Sequence, residues 1–507
     1  MNPRPRVFLF VCAQTAALLV CAIVALGHRQ FGGNDQGVLV DVAYRLFCGQ
    51  HPYVDFPITQ PILFYLGGLW ALQFFGVTWS AFIYIAALFS AATFGLHILL
   101  LRRIGIPRSW AYSIATVVQA GAMVTGAYWW YNPVSDVAVL LLCTAAALVL
   151  TNPGSLTNWF LYCGCLSAAS LAKPNVAGLV ILASSVAIFC SGRARWRGVL
   201  FSLLAACASL ALLGFYRLNP VSVVHGYLSA AGRGVPALDR FAQDQPVPLV
   251  QWSLFLVVMT LAPLAALCDR RSLLRPLGEL VSCRDAALLG GVVAGVVGCF
   301  TNGELKVVDL AITLNAVALL CLLHPREASP ARPLFLQKTA MTVLALTAAW
   351  LGVTRARIEA IGPFYERTTL YPIGALNPFF AQLECGPYFT TLLDQVTVAM
   401  AEASKNLGRK PKVFFGPRMG WGYAAFGLEP PPGLPYSWLA GVDYPVEDLG
   451  TYVDAFKRAR FDYCFFVFNR GHADTTYMPI QLLEVFRRDY TPVVTTRRLV
   501  VIKRKPG

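Results

Sequence analysis

The sequence predicts a mainly α protein in two parts. Residues 1–353 read as a polytopic membrane helical domain of about eleven spans, and residues 354–507 as a small soluble α/β domain. Three observations carry this. First, 57% of the 507 residues are hydrophobic and only 13% are charged, with a mean hydropathy of +0.58, whereas soluble chains carry about 25% charged residues. Second, the charge is uneven: 34 charged residues fall in the first 353 positions and 33 in the last 154. Third, the apolar runs long enough to cross a bilayer all lie before residue 354. This composition excludes a soluble enzyme, a disordered chain and a nucleic-acid-binding domain. The net charge of +15 does not change that, because the basic residues of the first part sit at the ends of apolar runs, where they set topology.

The expected spans are 7–27, 79–101, 110–130, 134–151, 156–172, 174–191, 198–216, 249–268, 285–301, 305–323 and 334–353. The run 62–76 is short for a crossing, and charge bias decides its status. If it does not cross and the N-terminus is cytoplasmic, 15 basic residues of the first part lie inside and 7 outside; if it crosses, the count reverses. It is therefore read as an interfacial or re-entrant helix on the outer face. The soluble domain then lies outside as well, and most acids of the first part face outward.

The first outer loop, 28–78, holds the chemistry. Asp35 opens a stretch, 36–48, with helical spacing, read as a short helix lying on the membrane. Asp35 reads in two ways: as the residue that starts the helix after Gly33 and Asn34, or as a poorly solvated acid whose proton affinity can be tuned for general-base work. Gln36 follows it, and Asp55 lies further along the loop.

Tyr128, Trp129, Trp130, Tyr131 and Asn132 read as an aromatic belt at the membrane interface. Asp136, inside an apolar run, is costly there and marks a functional position. Lys173 stands alone between two apolar runs in LSAASLAKPN, followed by Asn175; it either snorkels to the outer interface or binds an anion. The long loop 217–248 carries Arg217, His225, Arg233 and Arg240, which suit a phosphate or a solvated face equally. In TNGELKVVD, Glu304, Lys306 and Asp309 open another apolar run. An acid and several cations at one membrane surface suit transfer from a phosphate leaving group, the acid taking a proton and a cation stabilising the departing phosphate.

The order of one span, an outer loop with an early acid, and then CGQHPYVDFPITQPILFYLGGLWALQFFG resembles the integral-membrane GT-C glycosyltransferases. The similar types are the bacterial aminoarabinose transferase of lipid A, the protein O-mannosyltransferases and the sugar transferases of rhizobial lipopolysaccharide. The motif-level likeness is confined to residues 32–76, 128–136 and LSAASLAKPN. It implies a polyprenyl-phosphate sugar donor, a glycan, lipid or protein acceptor, inversion at the anomeric carbon, and a place in a bacterial inner (plasma) membrane. It implies a catalytic acid in the first outer loop, often an Asp-Glu pair. Here that position reads Asp35-Gln36, so either one acid suffices or Asp55 or Asp136 supplies the second. It implies Lys173 and Arg217 as phosphate ligands. Gln36, Asn175, His225, Glu304 and Lys306, polar residues on the same outer side, are read as acceptor or sugar contacts. No metal and no other cofactor is expected. The rival readings are a transporter or flippase for a lipid-linked glycan, which would need internal repeats and mid-span polar groups, and a non-catalytic binding scaffold.

In the second part, 389–404, 446–458 and 479–489 read as helices and 412–415, 463–468 and 499–504 as short buried strands. The loop from Gly416 to Pro445 is rich in Gly, Pro and aromatic residues. Trp421, Tyr436 and Trp438 read either as sugar-stacking faces or as groups packing back on the membrane domain. Cys385 and Cys464 are either a disulfide or two free thiols.

Overall fold

The computed structural model describes residues 4–31, 35–58, 61–121, 127–192, 194–224, 283–301, 369–438, 448–469 and 478–506, with single positions between them at 312, 315–316, 318–320, 322–323, 444, 472–473 and 475. The expected spans 249–268 and 334–353, and most of 305–323, lie outside the described residues, as do His225, Arg233, Arg240, Glu304, Lys306 and Asp309.

The first part is a bundle of α1 (Arg4–Gly27), α2 (Asp35–Phe47), α3 (Ile62–Phe75), α4 (Trp79–Ile104), α5 (Arg108–Gln119), α6 (Tyr131–Thr151), α7 (Leu156–Ser170), α8 (Pro174–Cys190), α9 (Arg195–Phe215) and α10 (Cys283–Thr301). Among the described residues, four helices are long and apolar enough to cross a membrane: α1, α4, α6 and α9. Their outer faces are apolar where a soluble protein would be charged. Leu9 and Phe10 on α1, and Trp196, Leu203 and Phe215 on α9, are each at least 60% exposed. A patch of this extent needs a lipid environment, and the chain is an integral membrane protein. α6 is the hub, buried on every side from Asn132 to Val149 and packed by α3, α4, α7, α8 and α10.

Two expectations are corrected. The span expected over 110–130 is not one helix. α5 has only 12 residues, about 18 Å, and the backbone at Trp130 is extended, with the Trp129 amide bonded to the Phe82 carbonyl at 3.0 Å. The first-loop helix does form, as α2, but it does not lie free on the membrane. Leu39, Val40, Val42 and Ala43 are fully buried, because α2 is sandwiched between α3 and the second part of the chain. α3 is also buried along most of its length. Its paired glycines explain why: a Cβ on Gly67 would overlap the Trp129 ring, and one on Gly68 would lie 2.9 Å from the Ala43 methyl. At 14 residues α3 is about 21 Å long, too short for a full crossing.

Polar groups do occur deep in the bundle. The Thr93 hydroxyl donates to Gln119 Oε1 at 3.2 Å, His97 Nε2 lies 3.0 Å from Asn315 Oδ1, and Asn315 Nδ2 donates to Thr144 at 3.1 Å. His97, Gln119, Thr144 and Asn315 are fully buried and tie four chain segments together, as interhelical hydrogen bonds do in lipid.

The second part pairs β1 (Tyr371–Pro372) with β2 (Glu384–Cys385), then forms α11 (Pro387–Leu407), β3 (Val413–Phe415), α12 (Trp421–Phe426), α13 (Leu449–Ala459), β4 (Tyr463–Asn469), β5 (His472–Ala473), α14 (Ile480–Asp489), β6 (Tyr490–Thr495) and β7 (Leu499–Arg504). The sheet order is β3-β4-β7-β6, with β3 parallel to β4 and the other pairs antiparallel. Side chains alternate across a strand, and here both faces are covered. Phe414, Cys464, Phe466 and Val500 face a core with Phe456 and Phe486 from α13 and α14. Phe415, Phe465 and Val501 face a second core that runs on into the membrane part. That is why β3 and β4 read as unbroken apolar runs. β6 escaped sequence reading because it is an edge strand, largely exposed. Cys385 and Cys464 are both buried, free thiols, so the disulfide is not formed. Trp421, Tyr436 and Trp438 are all buried and do not present stacking faces to a sugar.

Candidate functional site

The site grows from the junction between α7 and α8. Pro174 occupies the first turn of α8, where its missing N–H costs nothing, and it forces the preceding residue into extended backbone. Lys173 obeys, with φ −61° and ψ 116°. Its amide donates to the Ser135 hydroxyl of α6 at 3.1 Å. Its ammonium then reaches the start of α6, 3.4 Å from Asn132 Oδ1 and 5.7 Å from the centre of the Tyr131 ring, within cation–π range. Asn132 and Asp136 are four residues apart and share one face of α6. Asp136 is 1% exposed, the acid in an apolar run that composition singled out. Lys173 and Asp136, 37 positions apart in sequence, thus meet the same turn of α6.

Asn132 adds a donor that sequence reading placed only among belt residues. It is 2% exposed. Its oxygen faces the Lys173 ammonium, which can only donate, so its Nδ2 hydrogens point elsewhere and meet no acceptor. A buried donor without a partner costs about 1–3 kcal/mol, and such groups mark places that a ligand or water completes. A cation, an open amide donor and a hydroxyl in one corner form an anion-binding arrangement.

α3 forms the wall. Its Leu63 amide, one of the donors a helix start leaves unpaired, is taken by the Leu171 carbonyl at 2.9 Å. The Trp129 indole donates to the Phe64 carbonyl at 2.7 Å, and Phe64 lies edge-on to Trp130 and Tyr131. The aromatic cluster read as an interface belt thus locks the extended 127–130 segment against α3. Arg217 belongs further along the same wall. It is exposed, follows α9 and holds φ at 54°, a conformation few non-glycine residues adopt. Its neighbour Tyr216 accepts a 2.6 Å bond from the Trp70 indole. Leu63 and Trp70 are seven residues apart on α3, about 10 Å, so Lys173 and Arg217 stand at different levels along α3 rather than on one point.

The acids of the first loop are placed as follows. Asp35 is the first residue of α2; its side chain lies outside the described residues, as does that of Asn175. Gln36 is buried. Asp55 Oδ2 accepts the His51 amide at 2.7 Å and its carbonyl accepts the Gly433 amide at 2.5 Å, so Asp55 closes a turn and ties it to the second part of the chain.

A charge pair of α2 escaped sequence reading. Asp41 and Arg45 are each about 2% exposed, with Arg45 Nε 3.0 Å from Asp41 Oδ1. Burial pushes the Asp41 carboxyl up to about 6, outweighing the pull of Arg45. The available signal was the opposite charges at i, i+4 within an otherwise apolar helix.

No family model and no curated protein matches the chain. Among solved structures, it is similar to ArnT from Cupriavidus metallidurans bound to undecaprenyl phosphate, at 13% identity and a TM-score of 0.40, and to the same protein in the apo state, at 13% and 0.42. Both comparisons cover 99% of this chain and 98% of the other. A likeness this distant decides nothing about activity, and the site stands on its own geometry.

Proposed function

We propose that the protein is a membrane glycosyltransferase that moves a sugar from a polyprenyl-phosphate donor to an acceptor hydroxyl at the outer membrane face. The observation that carries this reading is the Lys173 corner. A cation, an unpartnered amide donor and a buried acid meet at one turn of α6, beside the wall formed by α3. Lys173 and Asn132 suit the phosphate of the donor, and the apolar side chains of α3 suit its lipid tail. Arg217 serves the same lipid further along the wall.

The chemistry is a single displacement with inversion. The acceptor oxygen attacks the anomeric carbon as the carbon–oxygen bond to phosphate breaks. Asp35, at the start of α2, takes the hydroxyl proton as general base. The polyprenyl phosphate leaves with its negative charge met by Lys173, and Asp136 orients the sugar. The N-terminus is cytoplasmic and the second part of the chain lies outside, following the charge bias of the loops.

The test is transfer of labelled sugar from polyprenyl-phosphate donors by the full chain in detergent or vesicles. Asp35→Asn keeps shape and removes the base, so folded protein with transfer reduced at least about 100-fold is expected. Near wild-type transfer by Asp35→Asn refutes the role of Asp35.

A further inference from the structure

We infer that Arg45 is a positioning residue: through it, a proline-rich turn of the C-terminal domain fixes the rotation of α2 and thereby the placement of the acid at that helix's start. The inference rests on the reading above for what α2 carries, and it concerns how the acid of that site is positioned.

The turn at 429–435 reads EPPPGLP. Its carbonyls are aimed at the first outer loop. Arg45 Nη1 donates to the Pro431 carbonyl at 3.0 Å and to Gln50 Oε1 at 3.3 Å; Gln50 Nε2 donates to the Pro430 carbonyl at 2.6 Å. The Gly433 amide donates to the Asp55 carbonyl at 2.5 Å, with Gly433 in the left-handed region at φ 75°. Successive prolines restrict φ and hold the carbonyls stiff. The Arg45 guanidinium also lies 5.2 Å from the centre of the Phe56 ring. One turn of helix away, α2 rests on Gly420, where a Cβ would come 3.1 Å from Asp41 Cβ and 3.2 Å from the Gly37 carbonyl.

Stability alone does not account for a buried ion pair here. Desolvating two charges costs about as much as their attraction returns, and apolar residues of the same volume usually hold a helix as well or better. The raised Asp41 carboxyl shows desolvation outweighing attraction at this site. What the pair adds is direction. A guanidinium presents its donors in a fixed planar fork, so its three acceptors, on α2, on the loop after it and on the C-terminal domain, are satisfied together at one rotation of α2. Apolar contacts would tolerate a range of rotations. Arg45 is ten residues from Asp35, about 15 Å along a rigid helix, so fixing one end fixes the other. A misplacement of about 1 Å at a reacting group costs about 100-fold in rate.

The experiment uses the full chain in detergent and the variants Arg45→Lys, Arg45→Met and the double Asp41→Leu/Arg45→Met. The double variant leaves no orphaned charge, so it keeps the test open should Arg45→Met fail to fold. Hydrogen exchange of the α2 amides is read beside sugar transfer. The expected result for the double variant is a thermal midpoint at or above wild type, α2 amides exchanging at least about tenfold faster, and kcat reduced at least about tenfold with the donor KM unchanged. Arg45→Lys, with charge but no fork, is expected to follow the same pattern. Unchanged α2 exchange in the double variant overturns the inference. So does faster α2 exchange with wild-type kcat. If instead Asp35→Asn transfers normally, the assignment of Asp35 fails, and the exchange of α2 still decides whether Arg45 holds the helix.

Discussion

Replacing Lys173 with Met removes the ammonium and keeps most of the stem. The Lys173 amide still donates to Ser135 and Pro174 still opens α8, so the local backbone has no reason to move. The folded state loses the 3.4 Å contact to the buried Asn132 oxygen and the contact to the Tyr131 ring, so a stability cost of about 1–3 kcal/mol is expected. Binding is different. Two charges about 4 Å apart in the effective dielectric of a protein surface attract by about 4 kcal/mol before desolvation, and a charge-assisted hydrogen bond retains about 1.5–3 kcal/mol net. Loss of the ammonium should therefore weaken binding of a polyprenyl monophosphate by about 10- to 150-fold. Titration of that lipid phosphate into the purified chain in neutral detergent measures it. Lys173→Arg, which keeps the charge, should recover most of the affinity. An affinity for folded Lys173→Met within twofold of wild type would refute the assignment of this corner to phosphate.

Other outcomes follow from the same geometry. Arg217 is exposed, so Arg217→Met should weaken lipid phosphate binding by less than about fivefold, as screened surface charges do; a larger loss than at Lys173 would reverse their ranking. Gly67→Val places a side chain into the Trp129 ring and should cost about 1–3 kcal/mol through overpacking, read as a lower thermal midpoint; an unchanged midpoint would mean that α3 is not wedged as described. Asp41 titrates at about 6 in the fold against 3.8 when exposed. The native state therefore holds this proton more tightly, and the contribution of Asp41 to stability is full below pH 3.8 and is lost as pH rises to about 6. The loss is about 3 kcal/mol, at 1.36 kcal/mol per pH unit. Unfolding measured from pH 4 to 7 should show that fall as a difference between wild type and Asp41→Asn, and parallel pH profiles would contradict it. Transfer itself, if Asp35 is the base, should decline on the acid side of its profile, and Asp35→Asn should lose that limb.

Much of the architecture was legible because lipid imposes a one-dimensional rule. A helix that spans a bilayer must be apolar along its length, so α1, α4, α6 and α9 stand out from composition alone. Asp136 and Lys173 stood out for the converse reason, since each is costly where the chain around it is apolar. In the second part of the chain, β3, β4 and the start of β7 were readable because both of their faces are buried and their side chains from Val413 to Phe415, Tyr463 to Phe468 and Leu499 to Val501 are apolar or aromatic. β6 was not, because it is an edge strand exposed along most of its length and carries no apolar run. Residues 127–130 misled because Trp and Tyr serve a membrane helix and a buried extended segment equally well. Here the contacts that decided were the Trp129 bonds to Phe64 and Phe82.

The sequence by itself determined that α1, α4, α6 and α9 are long apolar helices, and that an acid and a cation lie where they are expensive. Tertiary structure alone decided that Lys173 faces Asn132, that Arg217 stands at another level of α3, and that α2 is clamped by a turn almost 400 residues later. The physical reason is that hydropathy records how a segment meets its solvent, whereas hydrogen bonds and close packing depend on which two faces come together, and neither face carries the identity of its partner.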